Sequence, residues 1–181
     1  AVIVILQPEL RKAVEELGRK NIITSIVPFE LGKNPGEGRF SDRTINEITK
    51  ACVEMGKVKT GALIVVQQNQ PLEEYERTGI DVDGIVTSQL LINIFEHNTP
   101  LHDGAVIIRG NRVTSATCYL PLSDNMALSK DLGTRHRAGV GISEATDSLT
   151  VIVSEETGKI SVAYEGNLSR GLSGEELKEK L

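Results

Sequence analysis

Two strand–turn–strand patterns constrain this chain more than any other feature. Ala105 to Ile108 is an aliphatic strand pattern, Gly110-Asn111 is a tight-turn pair, and Val113 to Leu120 resumes the strand pattern. Leu149 to Val153 and Ile160 to Tyr164 repeat the arrangement around Glu155-Glu156-Thr157-Gly158. Connections this short join only antiparallel neighbours, because parallel strands need a crossover of about a dozen residues or more. Helical patterns lie before and between the hairpins. The spacing therefore predicts an α/β fold with a mixed, largely antiparallel central sheet flanked by helices, in a single domain, and argues against a doubly wound parallel sheet.

The helices are read from apolar spacing and punctuation. After Pro8, Glu9 to Lys20 places Leu10, Ala13, Val14 and Leu17 on one face, with Gly18 near the stop. The Gly- and Pro-rich stretch Gly32 to Gly38 has no apolar period and reads as a loop. Ser41 is an N-cap for a second helix, whose Ile45, Ile48, Cys52 and Met55 recur at core spacing and which Gly56 is expected to end. Ala62 to Val66 reads as a buried strand, and Val86 to Glu96 as a helix with Leu90, Leu91, Ile94 and Phe95 inward. Gly174 to Leu181 predicts a frayed terminal helix. There is no internal repeat and no low-complexity tract.

With 181 residues, 39% of them hydrophobic, the chain can bury one sizeable core. A net charge of −5 excludes the mode of nucleic-acid binding that coats phosphates with a basic face. Cys52 and Cys118 stand far apart in apolar surroundings, which is neither a zinc spacing nor a disulfide framework, and suits a reducing compartment. No signal peptide is visible, and the longest apolar run, Ala1 to Leu6, is too short to span a bilayer. A chain that starts at Ala1, inside an apolar run, reads as a fragment whose upstream part is missing.

The reactive side chains concentrate in two segments, Leu101-His102-Asp103-Gly104-Ala105 and Gly133-Thr134-Arg135-His136-Arg137. A carboxylate beside an imidazole can hold a divalent cation, and two arginines flanking a histidine match phosphate oxygens. Each has an ordinary alternative: Asp103-Gly104 is also a common turn before a strand, and Arg135 to Arg137 is also a solvated basic patch. His97 and His102, five residues apart with Pro100 between them, do not share a helical face as zinc-binding histidines do, and no cysteine pair completes a zinc site. A metal here is therefore Mg²⁺ or Mn²⁺, held by oxygens, a histidine and substrate phosphates, and His97 is left as a structural residue. Thr134 adds a hydroxyl and an N-cap, and the small residues Ala138-Gly139-Val140-Gly141 suit a helix packed closely on a sheet, its N-terminal N–H groups adding to a phosphate site. Ser154-Glu155, at a strand end, offers a hydroxyl and a carboxylate to phosphates or metal, or is simply an acidic turn. No dinucleotide fingerprint or Walker A sequence occurs, and the sequon Asn167-x-Ser169 carries no meaning without secretion.

Taken together, His102-Asp103-Gly104-Ala105-Val106, Tyr119-Leu120-Pro121-Leu122, Leu132-Gly133-Thr134-Arg135-His136-Arg137-Ala138 and Val153-Ser154-Glu155-Glu156-Thr157-Gly158 resemble the diadenylate cyclase (DAC) domain in order and spacing. The resemblance covers roughly Pro8 to Gly171 and is greatest to the membrane-anchored bacterial CdaA class. It implies residues 1–7 as a connector from a removed membrane region, 8–171 as the catalytic domain and 172–181 as a C-terminal tail or helix. It implies condensation of two ATP into cyclic di-AMP with release of two pyrophosphates, by metal-assisted attack of each ribose 3′-hydroxyl on the partner's α-phosphate. Asp103, Arg135, His136 and Arg137 are the implied catalytic group. Gly104, Ala105, Tyr119, Leu120, Thr134, Arg135, Ser154 and Glu155 are the implied ATP-binding group, with Tyr119 stacking on adenine and the Leu120 backbone reading its edge. His102, Asp103 and Glu155 would hold Mn²⁺ or Mg²⁺. Outside that resemblance, Tyr119 is an ordinary half-buried aromatic.

A two-fold symmetric product from one site per chain calls for a face-to-face homodimer. The resemblance further implies a parent at the cytoplasmic face of the membrane, a YbbR-domain regulator and a phosphoglucosamine mutase as partners, and no nucleic acid. A non-catalytic nucleotide sensor and a metal-dependent phosphohydrolase remain as alternative readings of the same residues.

Overall fold

In a computed structural model of the chain, residues 40–181 are described, apart from 127 and 130. The expected helix over Glu9 to Lys20, the loop over Gly32 to Gly38 and the connector over residues 1–7 lie outside the described residues. The elements in chain order are α1 (Asp42–Lys57), β1 (Ala62–Val66), α2 (Glu73–Glu76), β2 (Ile80–Ile85), α3 (Ser88–Phe95), β3 (Ala105–Arg109), β4 (Arg112–Cys118), α4 (Thr134–Ala145), β5 (Leu149–Val153), β6 (Ile160–Tyr164), β7 (Asn167–Leu172) and α5 (Gly174–Lys180). Seven strands form one sheet in the order β2-β4-β3-β1-β5-β6-β7. β1 and β3 pair in parallel and every other ladder is antiparallel. The mixed, largely antiparallel sheet flanked by helices is the architecture that the two hairpins demanded.

Side chains alternate across the sheet into two cores. Ala62, Ile64 and Val66 of β1 join Val151 and Val153 of β5 on the face covered by Ile48, Cys52 and Met55 of α1, Leu91 and Phe95 of α3, and Leu177 of α5. Leu63 and Val65 join Ile107 and Ile152 on the other face, beneath Ala138, Val140 and Ile142 of α4. Every residue of β1 and of β5 is buried, as befits central strands covered on both sides.

Local chemistry explains the element ends. Ser41 caps α1 by accepting from the Thr44 N–H, and Asn111 in the β3–β4 turn clamps that cap: its Oδ1 accepts from the Ser41 N–H at 2.8 Å and from the Thr44 hydroxyl at 2.7 Å. Gly56 does not end the helix, which runs on to Lys57. The glycine is needed because a Cβ there would sit 2.6 Å from the carbonyl oxygen of Gly158, in the β5–β6 turn. α3 is shorter than the Val86–Glu96 expectation, starting after the Thr87 cap, whose hydroxyl accepts from the Leu90 N–H at 3.1 Å. β4 stops at Cys118, short of the expected Leu120, after Thr117 takes a φ of +60° and breaks the ladder geometry. The terminal helix is not frayed. Ser173 and Glu176 form a reciprocal capping box, and Leu177 is fully buried.

Two strands escaped the sequence reading. β2 is an exposed edge strand with Asp81, Asp83 and Gly84, and its register shifts between Asp81 and Gly84. β7 follows β6 through Glu165-Gly166, with φ of +49° and +75°, the left-handed pair that a two-residue hairpin needs.

α4 lies close on the sheet because it lacks side chains where it touches. A Cβ at Gly139 would fall 2.8 Å from Ile152 Cδ1, and one at Gly141 would fall 2.1 Å from the Pro121 carbonyl oxygen. Gly141→Ala is expected to cost about 1–3 kcal/mol through overpacking against a backbone that cannot yield. Urea unfolding of the variant beside the parent chain checks this, and unchanged stability would mean that the helix can move away freely.

Candidate functional site

The loops at one end of the sheet enclose a cavity of about 640 Å³. Its walls are the bend before β3 (Asp103, Gly104), the end of β4 with the loop beyond it (Thr117 to Leu120, Leu122), the start of α4 (Gly133 to His136), the β5–β6 turn (Ser154 to Thr157) and the β6–β7 ladder (Ser161, Arg170). Segments far apart in sequence thus meet because β3 and β5 flank β1 on either side.

The Asp103 bend depends on Gly104. Its φ is +90°, and a Cβ there would lie 2.9 Å from the Cys118 carbonyl oxygen, so only glycine lets the bend rest on β4. Asp103 is thereby held exposed at the cavity wall. Ala105 is fully buried in the core beneath α4 and its side chain does not reach the cavity. The expected ATP-binding role is corrected for that side chain. His102 also lies off the cavity: its Nδ1 is 2.6 Å from the Thr99 carbonyl oxygen, and its ring meets His97 edge-on at 5.5 Å. That leaves Nε2 as its remaining ligating atom.

The Thr134–Arg137 segment is the first turn of α4. The N-cap is Gly133, not Thr134, and no side chain caps the helix; the His136 N–H donates to the Gly133 carbonyl at 3.1 Å, which leaves the N–H groups of Thr134 and Arg135, both cavity-lining residues, without a built-in acceptor. Arg135 crosses to the β5–β6 turn, where Nη1 donates to Glu155 Oε2 at 2.6 Å. Its guanidinium rests on Gly61, where a Cβ would fall 2.8 Å from Nη1, and its Nε is buried without an acceptor. His136 is 8% exposed and lines the cavity. Burial, and next the positive charge of Arg170, hold its imidazole below the ordinary histidine range, while Glu156 pulls the other way. Arg137 does not line the cavity, because the helical turn directs it elsewhere. Its carbonyl accepts from the Ser123 N–H at 3.0 Å and so ties α4 to the loop after β4. Arg135 and Arg137 therefore do not form one fork.

Tyr119 is 73% exposed at the mouth, not half-buried, and its N–H donates to the Thr78 hydroxyl at 2.9 Å. Leu120 turns partly into the core beneath α4. The Ser154 hydroxyl accepts from the Thr157 N–H at 3.2 Å, shaping the turn that presents Glu155. The sequence reading missed Thr117, Ser161 and Arg170, which reach the cavity from strands whose pairing was unseen or whose bulge was unpredicted, and Lys159, at the end of the β5–β6 connection. Burial pushes the thiols of Cys52 and Cys118 up to about 12, so both stay protonated.

Among the described residues no cluster of three or more histidine, cysteine, aspartate or glutamate side chains forms a metal cage. Asp103 and Glu155 are two carboxylates facing one cavity, the donor set that Mg²⁺ or Mn²⁺ shares with substrate phosphates and water. Arg135, whose buried Nε lacks an acceptor, lines the same cavity. The arrangement can bind an anion beside a cation.

The family model described as DisA bacterial checkpoint controller nucleotide-binding (DAC) matches residues 49–168. Over its whole length the chain is 52% identical to the cyclic di-AMP synthase CdaA of Bacillus subtilis and, equally, to a diadenylate cyclase of Listeria monocytogenes, and it spans 64% of the length of each. The crystal structure of a double mutant of DacA from Staphylococcus aureus superposes with a TM-score of 0.75 at 51% identity, covering 76% of this chain and 92% of that one. A Bacillus cereus protein described as a hypothetical membrane spanning protein superposes with a TM-score of 0.69 at 43% identity, over 71% of this chain and 63% of that one. With that family match spanning both the Asp103 bend and the start of α4, the chain belongs to the DAC nucleotide-binding family.

Proposed function

We propose that the chain is a diadenylate cyclase, condensing two ATP into cyclic di-AMP and two pyrophosphates. The observation that carries this reading is the convergence of Asp103, the uncapped N-terminus of α4 and Arg135 on one cavity in a member of this family. The reaction joins a ribose 3′-hydroxyl to an α-phosphate and expels pyrophosphate, so it needs alignment, a route for the hydroxyl proton and positive charge on the phosphates. Asp103, held rigidly by Gly104, takes the position beside the 3′-hydroxyl. Helix N–H groups, Arg135, Thr134 and Ser154 receive phosphate oxygens. His136, buried and kept neutral, orders the first turn of α4. Tyr119 offers an exposed ring for adenine.

Asp103 and Glu155, the two carboxylates described above as facing the cavity, are the residues that would hold Mg²⁺ or Mn²⁺, and His102, turned towards Thr99 and His97, lies outside that set. Such a cation supplies charge that eases loss of the hydroxyl proton and offsets the phosphates. Glu155, which accepts from Arg135 Nη1 at 2.6 Å, would add its charge to that of Asp103 in holding the cation.

The product is two-fold symmetric, and the reading calls for two chains facing each other so that each offers its ATP to the other's 3′-hydroxyl. Support comes from the cavity lining, where Tyr119 and Leu122 are 73% and 53% exposed, an apolar rim suited to a second copy. No helix among the described residues is long and apolar enough to cross a membrane. Because the curated relatives are longer, membrane anchoring at the cytoplasmic face belongs to a proposed parent protein, as do contacts with a YbbR-domain regulator and a phosphoglucosamine mutase.

Incubation with ATP and Mg²⁺ or Mn²⁺, followed by chromatography, is the direct test: cyclic di-AMP is the expected product. Asp103→Asn should lower its formation by at least about a hundredfold while ATP binding is largely kept. Undiminished product would remove Asp103 from the chemistry, and ATP binding without product in the parent chain would leave only a nucleotide-binding domain. Diluting the enzyme is expected to reduce turnover per chain more steeply than ATP binding; parallel losses would rule out the face-to-face pair.

His136 generates a pH prediction. Its folded pKa lies below the ordinary 6.5, so the unfolded chain takes up the proton first as pH falls. The stability it contributes is full above about 6.5 and is lost progressively at lower pH, through the folded value. Urea unfolding at neutral and mildly acidic pH should show a smaller pH-dependent loss in His136→Gln than in the parent chain; an equal loss in both would contradict this assignment.

A further inference from the structure

The β6–β7 wall of the cavity carries positive charge that the reading above leaves without a role. Ser161 and Arg170 are register partners across this ladder, and opposed residues project from the same face. The neighbouring pair on that face, Ala163 and Leu168, packs into the core beneath α4, which fixes the face on which Arg170 lies. The ladder then shifts. Ile160 pairs with Leu172 instead of Gly171, and Gly171 has a φ of +71°. This bulge turns Leu172 towards the opposite core and leaves Arg170 as the last β7 side chain on the cavity side.

Arg135 and Arg170 are the two arginines among the cavity-lining residues, and they differ in one respect. Arg135 is already paired with Glu155 at 2.6 Å, whereas Arg170 forms no ion pair among the described residues. Its charge is near enough to the first turn of α4 to disfavour protonation of His136. An uncommitted guanidinium, a hydroxyl beside it and a helix N-terminus nearby make a site for an anion with several oxygens.

We propose that Arg170 is a substrate-binding residue whose guanidinium takes the polyphosphate of the nucleotide alongside the N-terminus of α4, an assignment that rests on the nucleotide reading of the cavity. Ser161 supplies the neighbouring hydroxyl, and Lys159 adds charge at the rim. Adenosine, which lacks phosphates, gains nothing from this wall.

Calorimetric titration of the chain with a non-hydrolysable ATP analogue and Mg²⁺, and separately with adenosine, tests the proposal in the parent, Arg170→Gln and Arg170→Lys. The glutamine variant is expected to bind the analogue about tenfold more weakly or worse, with adenosine affinity and thermal midpoint unchanged. The lysine variant should fall between, since it keeps the charge and loses the fork. Equal affinity of parent and Arg170→Gln for the analogue would overturn the Arg170 assignment and leave the nucleotide reading standing. Equal fractional loss for analogue and adenosine would overturn it too, by showing that the residue acts through the fold. Failure of the parent chain to bind the analogue at all would overturn both.

Discussion

The site depends on how near α4 can come to the sheet. At Gly139 and Gly141 the helix backbone rests against Ile152 and the Pro121 carbonyl with no room for a methyl group, and that contact sets where its N-terminus ends. The first turn, uncapped by any side chain, is then carried to the same end of the sheet as the Asp103 bend. Gly104 makes the equivalent contact on the other side, against the Thr117–Cys118 backbone. Three absent Cβ atoms therefore position both halves of the chemistry. The stability lost to glycine's freedom in the unfolded chain is offset by the burial of β1 and β5 on both faces.

The electrostatics arise from this closeness. Arg135, drawn beside the β5–β6 turn, meets Glu155 and is partly neutralised before any ligand arrives. His136, one residue on, is pressed into the interior beside Arg170 and held neutral. A cavity whose walls mix carboxylates with cations does not favour phosphate or metal alone, and it receives the two together best. That is the state of a metal–nucleotide complex, which carries less net charge than the free nucleotide.

Most of the architecture was legible because hairpins and core spacing are local signals. The β5–β6 strands fall on the residues their alternation marked, and Ser41 caps α1 as its side chain suggested. β2 was illegible because it is an exposed edge strand, where two aspartates and a glycine meet no penalty from burial. β7 was missed although Glu165-Gly166 is a usable turn signal. Within the site, Asp103, Gly104, Thr134, Arg135, His136, Ser154 and Glu155 do come together, while His102, Ala105 and Arg137 face elsewhere. Adjacency in a motif says nothing of direction: in an extended segment Ala105 opposes its neighbour across the sheet, and in a helical turn Arg137 points well away from Arg135. Arg170 carried no local signal because only the β6–β7 register brings it to the cavity.

The state of the two thiols has a practical consequence. The chain contains two cysteines, and both are buried with pKa values near 12, one of them in the wall of the cavity itself. Neither offers a thiolate to alkylating or disulfide reagents at neutral pH. The folded molecule is thus chemically silent towards thiol probes, and a single cysteine introduced at the exposed Tyr119 position would take up a fluorophore alone. The cavity mouth could then be watched by fluorescence as ligands are added, without first removing the native cysteines.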